Sequence, residues 1–305
     1  IDDVFRLTSS DSKRDAKALS NLLAKDVTLM QRVLTMANSA MYGAGNVTNL
    51  SRAVVLLGLT QVRTCVLNSL LRTQFSGGST ELHSAMVASF FSAVLSKELI
   101  RHSRLPGVEE VFVCGMFHDL GKLLVMHYLA EEYAEIKRRS HDANAEFAAC
   151  RDVLGLPYHE VGQQVGKEWK LPAHILAAMA PLPRGKVPAT EDSIERLGLA
   201  AAFCNALVAA IERSGAESNL ELEKLFRRVG DVFPVSREML GALLTVAAEL
   251  SGKYATLLGI SPDSLEFLRD VNAMIDIECF DAEGLEANEA PATAEACKPA
   301  MSDVA

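Results

Sequence analysis

The sequence predicts an all-α protein built from two helical parts, and three observations carry that prediction. Apolar residues recur at spacings of three and four along nearly the whole chain, the period of an amphipathic helix. Alternating apolar-polar runs bounded by turn residues, which would mark strands, are scarce. The 305 residues are 49% hydrophobic with only 19 Gly and 10 Pro, a composition that supports a substantial core and excludes collagen-like, mucin-like and wholly disordered chains.

The elements follow in order. Over 26–40, Val27, Met30, Val33, Leu34 and Ala37 form one stripe behind Asp26, a residue suited to an N-cap. Ser51–Leu57 and Thr60–Leu71 read as two further helices, each opened by a hydroxyl residue and separated by Gly58. Ser76-Gly77-Gly78-Ser79 then interrupts the pattern and marks the expected boundary between an N-terminal bundle, 1–76, and a second helical bundle, 79–275. Thr80–Ile100 is a long helix closed by a loop to Gly107, and Glu109–Tyr128 reads as a single helix. Further helices are expected over 131–139, 144–154, 158–169 and 172–179. Three prolines within Pro181–Pro188 enforce a loop. Helical periodicity resumes over 191–213, 220–229 and 237–258, and Ser261-Pro262 offers a cap and first residue for a last helix.

Charge is unevenly distributed. The net charge is −9, yet from Asp276 to the end eight acids face only Lys298, leaving a nearly neutral body. A body without a basic field makes nucleic acid an unlikely partner by charge. The Ala-rich acidic stretch 281–305 reads as a disordered tail or linker. Six cysteines (Cys65, Cys114, Cys150, Cys204, Cys279, Cys297) form no CxxC pair, which suits reduced packing residues in a cytoplasmic protein. The longest apolar stretch, Leu197–Ile211, is interrupted by Asn205 and shorter than a bilayer span, so no membrane anchor is expected. Charges throughout the first 17 residues argue against a secretory leader, and a chain that starts at Ile1 leaves room for an upstream segment.

The sharpest local signal is Cys114-Gly115-Met116-Phe117-His118-Asp119-Leu120-Gly121-Lys122. Adjacent His118 and Asp119 offer an imidazole and a carboxylate to one divalent cation, and the flanking glycines permit close approach of neighbouring backbone. His83 lies 35 residues earlier on the preceding helix, within reach of the same point in an antiparallel pair. Other polar residues have plainer readings. His102, His127 and His141 lie near helix ends, His174 follows Pro172 at a helix start facing solvent, and Lys122 suits a surface or capping role. Asn38 and Ser39 are suited to local capping, and Trp169 to anchoring helices in the core.

The pattern His83, then His118-Asp119, then Gly121-Lys122 resembles the HD phosphohydrolase superfamily, in which helices hold one or two metals that activate a water toward a phosphoryl group. With the N-terminal segments Ala24–Tyr42 and Asn49–Leu59, and with Leu156–Gly162 and Trp169–Pro172, the chain more narrowly resembles the HDOD family of bacterial signalling proteins, from about 11 to 258. The resemblance implies metal ligands at His83, His118 and Asp119, with His159 as a weaker second-metal candidate. It also marks departures. No histidine stands in Ala180–Pro183, where active relatives carry a His-His pair, and Asn205 takes the place expected of the last Asp. A neutral amide holds a divalent cation less firmly than a carboxylate.

The expected function is therefore a non-catalytic signal-transduction output or regulatory domain with a degenerate HD metal site, acting through protein contacts. No cofactor is expected beyond a weakly held iron or manganese. The partners implied are sensor kinases, receiver domains or cyclic-dinucleotide enzymes, or a fused domain of that kind, with self-association as a further option. Two alternatives are a metal-dependent phosphohydrolase using His83, His118, Asp119 and Asn205, and a dimerisation scaffold.

Overall fold

In a computed structural model the residues described are 23, 27–38, 47, 50, 52–58, 62, 75, 79–169, 171–214, 219–257, 260–262 and 265–276. Every regular element among them is a helix: α1 (Val27–Ala37), α2 (Thr80–His102), α3 (Val108–Phe117), α4 (Leu120–Tyr128), α5 (Ala130–Arg139), α6 (Ala143–Leu154), α7 (Tyr158–Glu168), α8 (Ala173–Ala178), α9 (Ser193–Ser214), α10 (Asn219–Val229), α11 (Arg237–Leu257) and α12 (Glu266–Asp276). A further helical stretch covers 52–58, and Gly58 closes it at φ +77°. The expected helix Thr60–Leu71, the Asp26 cap, the Ser76–Gly78 break, Ser39 and the acidic stretch 281–305 lie outside the described residues.

The all-α reading holds, and several boundaries trace to caps. Ser79 accepts a hydrogen bond from the Leu82 amide at 3.2 Å and starts α2. Asp142 accepts from the Ala145 amide at 2.8 Å and starts α6, which ends at Gly155 with φ +81°. Asn38 donates Nδ2 to the Leu34 and Val47 carbonyls and accepts from the Val47 amide, so it ties the end of α1 to the following chain, as capping chemistry suggests. The last helix is a correction. It starts at Glu266, not at Ser261-Pro262, where Pro262 instead sits in a short 3₁₀ turn whose carbonyl accepts from Leu265.

Apolar side chains gather in separate clusters. A small one joins Leu23, Val33, Ala37, Val47, Ala53, Val54, Leu57 and Val62. The main one runs from Phe75 to Met274. At its centre lies α2, buried on nearly all sides and packed against α3, α9 and α11. Buried Ser89, Ser92 and Ser96 keep the α2 surface low, and α3 approaches so closely that a Cβ on Gly115 would stand 2.8 Å from the Ala93 Cα. Helix α9 is long and apolar enough to cross a membrane by length and composition, yet its face is occupied by α2, α3, α8 and α10. Such all-round burial is what its apolar sequence serves. Trp169 is half-buried against this core, as expected of an anchor between helices.

Candidate functional site

The site begins where the structure departs from the single helix read over Glu109–Tyr128. The helix breaks at His118-Asp119: the His118 amide reaches back only to the Gly115 carbonyl at 3.4 Å, and Asp119 takes φ −94°, ψ 18°. The break lets α3 follow α2 and α9 while α4 turns to pack on α7. Gly121 makes that second crossing. A Cβ there would stand 1.8 Å from the Tyr158 carbonyl oxygen and 2.7 Å from the Gly162 amide.

His118 is partly buried, and its Nδ1 lies 2.7 Å from the Ala178 carbonyl oxygen at the end of α8. A carbonyl can only accept, so Nδ1 carries a proton, and in the neutral ring this leaves the lone pair on Nε2. A ligating histidine is held in that way. The donors needed around it are not assembled: among the described residues no three His, Cys, Asp or Glu side chains come together closely enough to hold a metal ion. His159 stacks on Phe147, with ring centroids 6.3 Å apart, and desolvation with the nearby His118 lowers its pKa.

Asn205 is the clearest departure from the arrangement implied by the resemblance. Its side chain is buried between α9 and α3, and Nδ2 donates to the Ala201 carbonyl at 2.8 Å and the Gly115 carbonyl at 3.5 Å. It staples two helices one turn short of the His118-Asp119 break. The α9 residues that line the cleft beyond the break are Ala209, a helical turn further on, and Glu212 and Arg213, two turns further on. On α2 the residues lining that cleft include Ser84 and Ala85, flanking the half-buried His83. Among the described residues His83, His118, Asp119 and His159 are not gathered as three donors around one point, while Asn205 commits its amide nitrogen to the Ala201 and Gly115 carbonyls and leaves Oδ1 buried without a hydrogen-bond partner.

What the structure does assemble is a cavity of about 570 Å³ walled by the N-terminal turns of α2, α6 and α12, by α4 and α5, and by the last turns of α9. Lys122 stands in it, 2.9 Å from Glu146. Burial opposes the ammonium charge, but the carboxylates of Glu146 and Asp119 outweigh it and lift the pKa above the ordinary lysine range. The surface or capping role expected of Lys122 is corrected accordingly. Burial pushes the Tyr133 hydroxyl up to about 12 against the opposing pull of Lys122, and raises Tyr158 as well. Desolvation raises Glu212, Lys122 works against that rise, and the Asp119 carboxylate adds to it.

The remaining histidines mostly keep the plain roles read from the sequence. His102 Nδ1 lies 2.9 Å from the Glu98 carbonyl at the end of α2, His127 meets Phe75 and Tyr128 edge-on, and His141 is exposed. His174 is half-buried and does not face solvent freely. Cys114, Cys150 and Cys204 are buried thiols outside any disulfide, and burial raises Cys150 to about 11 and Cys204 to about 12, values of inert packing thiols.

A family model for the HDOD domain matches residues 2–181. The chain belongs to the HDOD family. The match crosses the Ser76–Ser79 break without interruption, so both sides of that break lie within one family domain. No functionally curated protein matches the sequence. Among solved structures, this HDOD chain is similar to an HDOD domain protein of unknown function from Geobacter sulfurreducens, with 20% identity, TM-score 0.61, and coverage of 84% of this chain and 92% of that one. It is also similar to a candidate phosphohydrolase from Shewanella amazonensis SB2B, with 23% identity, TM-score 0.60, and coverage of 89% and 93%. A candidate signal transduction protein from Marinobacter aquaeolei VT8 shares 15% identity at TM-score 0.53, covering 90% of this chain and 58% of that one. At these identities the likeness establishes the fold.

Ser84, Tyr133, Glu146, Glu212 and the α12 residues of the cavity were not among the residues singled out in the sequence. Their only linear signal is charge on otherwise ordinary helices, and exposed charge is the default there.

Proposed function

We propose that this HDOD chain is a cytoplasmic signalling output module that works by binding other proteins and not by catalysis. The observation that supports this most is Asn205. At the α9 position where the resemblance implies an anionic ligand there is an amide, whose nitrogen is turned onto the Ala201 and Gly115 carbonyls and holds α9 to α3. The α9 carboxylate that does line the cleft, Glu212, belongs to no group of three metal-holding side chains among the described residues. The partners that fit a family of signalling domains are kinases, receiver domains and cyclic-dinucleotide enzymes.

A second reading, a phosphohydrolase, draws support from the lone pair left on His118 Nε2 by the bond of Nδ1 to Ala178. One experiment separates the two. The purified chain, supplied in turn with iron and manganese, is assayed for hydrolysis of bis-p-nitrophenyl phosphate and of cyclic dinucleotides. The signalling reading expects no turnover above the His118→Ala variant, and turnover lost in that variant would establish the enzyme.

A further inference from the structure

Beside the Lys122 cavity, and sharing Glu81, Tyr133 and Lys137 with it, a groove of about 480 Å³ runs between the start of α2 and the outer face of α5. Ala130 and Ala134, one turn apart on α5, lie exposed along it. Directly before Ala130 in the chain, Tyr128 and Leu129 are 56% and 41% exposed. Exposed apolar side chains gathered in one place mark an interaction surface, where single scattered ones do not. The rim adds positive charge, because α5 ends in Lys137, Arg138 and Arg139. Lys137 pairs with Glu81, but Glu135 by itself receives both Arg138 and Arg139, which leaves one cationic charge over. Exposed ion pairs of this kind contribute little, so other carboxylates can take over their cations at small cost.

The complementary sequence lies in the same chain. Residues 277–289, directly after α12, hold Glu278, Asp281, Glu283, Glu286 and Glu289 with no base among them, and they intersperse these acids with the large apolar residues Ile277, Phe280 and Leu285. Reach does not limit the pairing. Asp270 lines the Lys122 cavity together with Tyr133 and Lys137, and Asp276 lies six residues further along α12, about 9 Å of helix. Ten extended residues beyond it cover about 33 Å. A tethered segment is also presented at an effective concentration on the order of millimolar, so contacts too weak to capture a separate partner suffice to hold it.

We propose that the chain's own acidic segment 277–289 docks in this groove, its carboxylates at Lys137 and Arg138 and its Phe280 and Leu285 side chains over Ala130 and Ala134. The docking is a property of the chain itself and does not rest on the signalling reading.

The test is carbodiimide cross-linking of the full chain at low concentration, which joins a lysine to a carboxylate only where the two meet, read by peptide mass spectrometry. The Lys137–Glu81 pair is already formed and supplies the internal standard. The expected result is a second link from Lys137 to carboxylates within 278–289, with little linking of that segment to Lys186 or Lys253, which are also exposed and also in ion pairs. Replacing Phe280 and Leu285 together by Ser should weaken the Lys137 link about tenfold, the loss expected when apolar burial is removed. Ala134→Glu, at an exposed helix position where folding is not at stake, should weaken it similarly by setting a carboxylate in the groove, with the Lys137–Glu81 link kept. Equal linking to all three lysines, or a Lys137 link that neither variant moves, would overturn the proposal. So would a link that joins isotope-labelled to unlabelled chains in a mixture, since a second copy would then be the occupant.

Discussion

Replacing Asn205 with Asp asks whether this residue is a helix staple or a metal ligand in waiting. Asn205 is 5% exposed and uses its amide nitrogen as the donor to two carbonyl oxygens, at 2.8 Å and 3.5 Å. An ionised Asp has no donor and would set a negative charge against those same oxygens. Protonated, it could still donate once. The variant should therefore hold its proton, with a folded pKa above the unfolded value of about 3.9. At low pH the cost is one weakened hydrogen bond, about 1 kcal/mol. As pH rises above the unfolded pKa, the unfolded chain loses its proton first, so stability falls continuously until the folded pKa is passed. A lift of about three pKa units, typical for a buried carboxyl, corresponds to roughly 4 kcal/mol. On a domain of this size 1 kcal/mol moves Tm by about 2–4 °C. Thermal melts of both proteins from about pH 4 to pH 8 should show a small deficit at the acid end and one of about 10 °C or more at the alkaline end. A deficit that does not grow with pH would refute the staple. Recovery of Tm on adding Mn²⁺ would return Asn205 to the ligand position expected from the sequence.

Gly121→Ala should be among the more damaging small substitutions, because the new Cβ would meet the Tyr158 and Gly162 backbone and not a movable side chain. A loss of about 3 kcal/mol is expected by denaturant titration, and under 1 kcal/mol would show that α4 and α7 can part freely. Gly198→Ala, inside α9 with its nearest neighbour at 3.7 Å, should instead stabilise by up to about 1 kcal/mol through helix propensity, read as a higher urea midpoint. Lys122→Met should cost about 1–2 kcal/mol near neutral pH, less than a fully buried pair, since Lys122 and Glu146 are each 29% exposed. With its folded pKa raised, the Lys122 contribution is full below the unfolded value of about 10.4 and is lost only as pH climbs beyond it, so the wild-type and variant melting curves should converge only in strong alkali. Desolvation depresses His159, so the unfolded chain takes up its proton first and stability falls as pH drops below about 6.5. His159→Gln should flatten that acid limb, and an unchanged limb would place the titration elsewhere.

The sequence by itself determined the helical class and much of the element order, because helix periodicity, proline stops and helix-ending residues such as Gly58 depend on residues only three or four apart. It also determined the family, since the segments around Tyr42, His118 and Tyr158 recur in fixed order. Tertiary structure alone decided where the helices break and what they enclose. His118-Asp119 looks like helix interior in a linear reading, yet it is the turn at which α3 and α4 take different neighbours. Asn205 sits on an apolar helix whether it serves as ligand or staple, and only the position of Gly115 across the crossing distinguishes the two. The cavity depends on crossings that Gly115 and Gly121 permit by lacking a Cβ, which bring Lys122, Glu146, Glu212 and Asp270 together from far apart in the chain. A glycine in the sequence reports that close approach is allowed, but the angle and the partner are fixed by packing of the whole core.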